Sequence, residues 1–369
     1  MKHYKTVPAK NLRNCAAPDP MLESAGPTRG MPGKTFGACA PALTGKRRLP
    51  KPRSTADRKR KKLSLAIIGA GRLGTALAIA LSRAGHSIEL IVAQHTGSAR
   101  RAARLIGGHA VTASTQQVRR MSAGPELLAD VIIIATPDDA IASVAGELAQ
   151  IIKLKPGRRP SANRVALHTS GALSAEVLSP LRTHGFSLGS FHPLVSISDP
   201  RTGAEWLARA FFSVQGDTQA VRVSRRMVHG LGGQTFTIDP QTKALYHAAA
   251  LMASPNMTAL VDVALEMLTR CGLSPDRARK VLLPLINSTL DNLSAQAPAQ
   301  ALTGTFKRGD VSTVKKHIEA ISAQHLGDAL EAYILLGWRS MKMANHQRAS
   351  GALIEKILRD AAKRARPFT

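Results

Sequence analysis

Aromatic side chains are scarce in this chain, at 4% of 369 residues. A stacking platform for single-stranded nucleic acid needs several such rings, so that class of binder is disfavoured. Cysteine is scarcer still. Cys15, Cys39 and Cys271 form no C-x-x-C pair, so neither a disulfide framework nor a zinc site is on offer, and a reducing compartment is expected. No uninterrupted apolar run approaches the roughly 18 residues that span a bilayer, and the N-terminus lacks the apolar core of a signal peptide. The expectation is a cytoplasmic protein with no membrane association. Acidic residues are also few, 24 against 51 Lys and Arg, for a net charge of +27. Such an excess ordinarily points to nucleic acid or an anionic surface. Its distribution weakens that reading, because residues 1–62 carry +13 and the remaining 307 residues only +14.

Residues 1–62 contain eight prolines and the run RKRKK at 58–62, with few large apolar residues to bury. This composition predicts a disordered basic tail. It is either an arm for nucleic acid or a membrane surface, or a plain solvated extension. From Leu63 the texture changes. Apolar residues make up 44% of the chain, enough for a sizeable core. Short apolar runs that read as buried strands alternate with helical segments: LSLAIIGAG, HSIELIVA, ADVIIIATP, RVALHTSG, SLGSFHP, AFFSVQGD and QTFTI are the strands. The segment SAEVLSPLRTHG reads as one of the helices between them. The alternation predicts an α/β fold with a Rossmann-type, doubly wound parallel sheet over residues 63–239. After Pro240 only helical patterns follow, near 241–272, 275–296, 311–323, 327–346 and 350–364, which defines an all-helical domain over 240–369. Pro255 should kink the first of these near Leu251.

The run GAGRLG, Gly69 to Gly74, ends one strand and opens one helix, the context in which G-x-G-x-x-G binds a dinucleotide. Gly69 permits the tight turn, Gly71 lets the backbone approach a pyrophosphate, and Gly74 allows close packing of helix on strand. Arg72 and Leu73 complete the turn. In NAD-binding domains an acid about 20 residues further on holds the ribose. Here that place holds Ala93 and Gln94, with His95, Thr96, Ser98 and Arg100 following. Neutral donors and a cation suit a 2′-phosphate, so NADP is the expected cofactor. Arg100 and Arg101 equally suit a solvated helix face.

In an open α/β sheet, ligands bind outside the carboxyl ends of the strands. ATPDD, with Thr136 and Pro137, ends one strand, HTSG (His168 to Gly171) the next, and FHPL (Phe191 to Leu194) the one after. His168, Ser170 and His192 thereby become candidates for proton transfer or carbonyl binding, although each histidine could simply satisfy backbone groups. On the first helix of the second half, Lys243, His247 and Ser254 share a face, with Asn256 just beyond. That stripe suits a cleft wall or an internal interface equally. LTGTFKRGD, Leu302 to Asp310, reads as a loop whose cations could reach an anionic substrate and whose Asp310 caps the next helix.

GAGRLGTALA, ATPDDAI, HTSGAL, FHPL, KALYHAAA and LTGTFKRGD, in that order, resemble the Rossmann-like proteins that carry the C-terminal domain of unknown function 2520. The resemblance covers the chain from about residue 63 onward. Thr305 stands where the family usually has proline, and Pro255 interrupts a usual Ser-Asn pair. The resemblance implies an NADP-dependent oxidoreductase similar in architecture to β-hydroxyacid dehydrogenases, ketopantoate reductases and pyrroline-5-carboxylate reductases. In those relatives a helical domain dimerises and closes the cleft, and a lysine and an asparagine lie near the nicotinamide. The matching positions here are Lys243 and Asn256. The expected function is hydride transfer to or from a small carbonyl, imine or alcohol by a homodimer. Two other readings stay open: an NADP-binding sensor or scaffold without turnover, and a nucleic-acid-associated protein acting through its tail.

Overall fold

A computed structural model describes residues 62–107, 109–120, 129–152, 164–345 and 349–364. The basic segment predicted to be disordered, with Cys15 and Cys39, falls on residues outside these. The described residues belong to one compact unit, Arg60–Thr369.

Eight strands form one sheet: β1 (Ser64–Ile68), β2 (Ser87–Ala93), β3 (Val111–Ser114), β4 (Val131–Ile134), β5 (Arg164–His168), β6 (Phe186–Leu194), β7 (Phe211–Gly216) and β8 (Gln234–Phe236). Their spatial order is β3-β2-β1-β4-β5-β6-β7-β8. The apolar runs explain why helices cover both faces. Side chains alternate along a strand, so Leu65 and Ile67 enter one core while Ala66 and Ile68 enter the other. The first core is closed by α1 (Arg72–Arg83), α2 (Thr96–Leu105), α5 (Pro200–Leu207) and α6 (Thr218–Leu231). The second is closed by α3 (Thr115–Arg120), α4 (Asp138–Ile151) and a 3₁₀ stretch, Ala175–His184. That stretch was expected to be an ordinary helix. It contains Pro180, whose missing N–H cannot support the α-helical ladder.

Strands β1 to β6 run parallel, as expected, but β7 pairs antiparallel with β6, with Leu194 opposite Phe211. The segment between them, including α5, therefore starts and ends at the same edge of the sheet. Strand–helix alternation alone does not encode that choice. The short β3 and α3 had no clear signal in the sequence, because VTAS spans only four residues and carries one large apolar side chain.

The remaining helices are α7 (Lys243–Ala253), α8 (Pro255–Arg270), α9 (Pro275–Ala295), α10 (Pro298–Ala301), α11 (Gly304–Arg308), α12 (Val311–Ala323), α13 (Gly327–Ala344) and α14 (Ala349–Arg364). The kink expected near Leu251 is a break at Ser254 (φ −130°, ψ −82°), one residue before Pro255. The segment expected as a loop at 302–310 contains the short helix α11, and Asp310 caps α12 by accepting from the Thr313 amide at 3.1 Å. A third core of Val314, Leu330, Ile334, Ile354 and Leu358 joins α12, α13 and α14. By contrast, α8 has no buried residue and α9 only Ala278. Leu245, Met252, Leu260, Leu285 and Leu293 are exposed. The stretch Pro240–Arg270 is long and apolar enough to cross a membrane by length and composition, with a mean hydropathy of 1.4 over 18 residues and none of that window buried. The sequence reading missed this, because the separate apolar runs are short and only their average over an alanine-rich helix is high.

Candidate functional site

The carboxyl ends of β1, β4, β5 and β6 share one edge because these strands run parallel. At β1 the chain turns through Gly69, whose φ of +106° is left-handed. A Cβ on Gly69 would lie 2.6 Å from the Ala135 carbonyl carbon, and one on Gly74 would strike the Gly69 carbonyl oxygen. At Gly71, by contrast, a Cβ would meet nothing within 4 Å. Two glycines are thus required by packing, while the third faces open space at the amino end of α1. No acidic residue occupies the first turn of α1. Free amides, a positive dipole end and room above Gly71 fit a pyrophosphate.

At the end of β2, Gln94 and His95 are exposed and His95 occupies the N-cap of α2. The Thr96 hydroxyl donates to Gln117 Oε1 at 3.0 Å, and Arg101 donates to Ser98 Oγ at 2.8 Å. Arg100 is exposed and lines a groove along α2 with Arg101 and Arg104. At the end of β4, Thr136 Oγ1 is buried without a hydrogen-bond partner, beside Gly69.

The loop after β5 is braced from within. His168 is fully buried. Its Nδ1 accepts from the Ser170 amide at 3.2 Å, so Nε2 carries the hydrogen and donates to the Ser174 carbonyl at 3.1 Å. Burial, aided by the Lys243 charge, lowers its pKa to about 4. Ser170 Oγ donates to Asp138 Oδ2 at 2.6 Å and accepts from the amides of Ala172 and Leu173, each at 3.1 Å. Both residues lie at the expected edge, with their polar atoms spent on holding the loop.

The residues with chemistry to spare lie between β6 and α7. Lys243, Tyr246 and His247 stand at i, i+3 and i+4, so they share one helix face. Ser190 and His192 are two apart on β6 and share one strand face. The two faces meet. Lys243 is fully buried, and its Nζ donates to Ser190 Oγ at 2.9 Å. Ser190 Oγ in turn donates to the Ser170 carbonyl at 3.3 Å. Burial lowers the Lys243 pKa to about 8, against an opposing pull from Asp138. His192 Nδ1 and the Tyr246 hydroxyl lie 2.7 Å apart. Burial, then His247 and Lys243, lower the His192 pKa to about 4, and burial raises Tyr246 to about 12. His247 stands edge-on to His192, with ring centroids 5.6 Å apart, and its buried Nδ1 has no hydrogen-bond partner. Gly171 closes the group: a Cβ there would strike His247 Nδ1 and lie 2.9 Å from His192 Nε2.

Of the predicted residues, the structure brings His168, Ser170, His192 and Lys243 together at this edge. Asn256 is not among them, being exposed with its amide donating to Met252 Sδ at 3.0 Å. Lys307 donates to the Ala299 carbonyl at 3.4 Å and does not line the cleft beside His192. Ser190 and Tyr246 went unread in the sequence. The two-residue spacing from His192 and the three-residue spacing from Lys243 were the signals available for them.

A mostly parallel sheet in Rossmann order, a glycine turn with open space above it and a helical second half define a Rossmann architecture. The comparisons name it more closely: a Rossmann-like domain family matches residues 49–193, and the domain of unknown function DUF2520 matches residues 210–339. The chain is therefore a Rossmann-like protein carrying a DUF2520 domain. No curated protein matches it. Among solved structures, it is similar to a candidate NADP oxidoreductase of Bacteroides fragilis, with 21% identity and a TM-score of 0.57 over 82% of this chain and 98% of that one. It is also similar to protein TM1727 of Thermotoga maritima, with 23% identity and a TM-score of 0.55 over 81% of this chain and 99% of that one. These likenesses describe the fold.

Proposed function

We propose that this protein is an NADP-dependent oxidoreductase acting on a small carbonyl, imine or alcohol. The observation that carries the reading is the pairing of Lys243 with Ser190 and of His192 with Tyr246, on the sheet edge that also bears the glycine turn. A bound nicotinamide supplies or accepts the hydride. Gly71 and the amino end of α1 would hold the pyrophosphate. The amino end of α2, with His95, Thr96, Ser98 and Arg100, would take a 2′-phosphate, since no acid stands in its first turn. The likeness to the candidate NADP oxidoreductase supports this choice.

The protein's own groups divide the proton work. With its pKa near 8, Lys243 is protonated at neutral pH and is the proton reservoir. His192 is neutral there. Tyr246 donates to its Nδ1, which leaves Nε2–H to hydrogen-bond the reacting heteroatom. Ser170 positions the loop rather than the substrate. A fluorescence titration tests the cofactor: NADPH binds at least about tenfold tighter than NADH, roughly 1.4 kcal/mol. Equal affinities sink the NADP reading. NADPH binding without oxidation by any of a panel of aldehydes, ketones and imines favours a sensor.

We further infer a homodimer through the helical half. The exposed Leu260 of α8 and Leu283, Leu285, Leu290 and Leu293 of α9 form a surface that water does not tolerate well. Asp262, Glu266 and Arg270 on α8 suit a protein partner better than lipid.

A further inference from the structure

The cleft beside His192 also restricts what the reacting group is attached to. Its volume is about 810 Å³. Its ring nitrogens and phenol lie where His192, Tyr246 and His247 meet. From there the wall follows α7 past Leu251 and across the break to Pro255 and Thr258. Among the described residues, no Lys, Arg, Asp or Glu lines it. The nearby ammonium, Lys243, is fully buried and committed to Ser190. A carboxylate entering this cleft would lose its hydration and meet no cation on its walls, the Lys243 ammonium being held behind them by Ser190. An apolar body would instead cover alanine, leucine and proline surface. The second pointer to a ligand is His247. Its Nδ1 is buried without a partner, next to His192 and under Gly171, where only a residue without Cβ fits. Unpaired buried polar atoms are costly and rare, and a turn of the His247 ring from Gly171 toward the cleft would let a ligand heteroatom satisfy this one.

We propose that the cleft takes an uncharged, largely apolar ketone or aldehyde, or the corresponding alcohol. Its oxygen is held between His192 and His247, its carbon body lies along α7 and α8, and carboxylate-bearing analogues are excluded. This deepens the oxidoreductase reading and rests on it. The test is binding rather than turnover. Acetophenone and 4-acetylbenzoate are titrated calorimetrically into the full-length protein with oxidised NADP present, so that neither ketone can react. Acetophenone is expected to bind at least about tenfold tighter than 4-acetylbenzoate. Leu251→Lys, one helical turn from His247, reverses the order by supplying the missing counter-charge. His247→Phe weakens acetophenone by about tenfold or more and leaves NADPH affinity unchanged. Equal or tighter binding of 4-acetylbenzoate to the unaltered protein overturns the proposal, as does failure of both ketones to bind while NADPH binds. Loss of NADPH binding itself would overturn the oxidoreductase reading instead, so the two failures are told apart.

Discussion

At the scale of single residues, the glycine turn separates two jobs that one motif hides. Gly69 and Gly74 are required by packing, and Gly71 is not, since a Cβ there would meet open space. Gly71→Val should therefore leave the melting temperature nearly unchanged and abolish NADPH binding, measured by thermal shift and fluorescence titration. Gly69→Ala should lower stability by about 1–3 kcal/mol even without cofactor, because a left-handed φ and a clash with Ala135 act together. Similar stabilities of the two variants would remove the distinction. Lys243 gives the opposite trade-off. Its lowered pKa means that the folded environment disfavours the charged form. Lys243→Met should lower turnover by about 10² or more without lowering the melting temperature. A Lys243→Met protein with full turnover would move the proton source elsewhere. In the unaltered protein the reduction rate should fall as pH rises through about 8, where Lys243 loses its proton.

At the scale of elements, α7, α8 and α9 show how local rules and context divide. Proline at the first position of α8 and the left-handed Gly272 after α8 were readable as stop and start signals. The exposure of the faces was not, since apolar periodicity shows that a face wants cover but not what covers it. Under the dimer reading, the unaltered protein runs as a dimer by light scattering. The pair Leu285→Glu and Leu293→Glu shifts it to monomer while NADPH binding persists. A monomeric unaltered protein rules the reading out. The same limit applied within the sheet. The antiparallel turn of β7 depends on where α5 packs, against α1, and no short-range pattern in AFFSVQGD reports it.

At the scale of the whole molecule, two neutral histidines, His168 buried and His192 half-buried, couple stability to pH. Both His168 and His192 have pKa values lowered from 6.5 to about 4. Below pH 6.5 the unfolded chain takes up protons that the folded protein refuses until about pH 4. Their contribution is thus fully present above pH 6.5 and is lost as pH falls towards 4, up to about 3 kcal/mol for the fully buried His168. Urea unfolding at pH 7, 5.5 and 4.5 measures this. The His168→Asn variant should show a shallower acid slope, and an unchanged slope would count against His168 as the cause.

The sequence by itself determined the Rossmann half, the helical half and the glycine turn, because strand periodicity, helix formers and backbone freedom at Gly69 are properties of neighbouring residues. The missing acid near Gln94 was legible for the same reason. Tertiary structure alone decided which polar residues are free to act. The sequence pointed to His192 or Lys243 as proton donor and to Ser170 as a carbonyl-orienting group, and only the placed partners show the polar atoms of His168 and Ser170 spent on the loop. Lys243 meets Ser190 across 53 residues of chain and Tyr246 meets His192 across 54. A pKa and a hydrogen bond are set by the groups that exclude water around a side chain, and those groups are brought together only when the sheet edge and α7 pack.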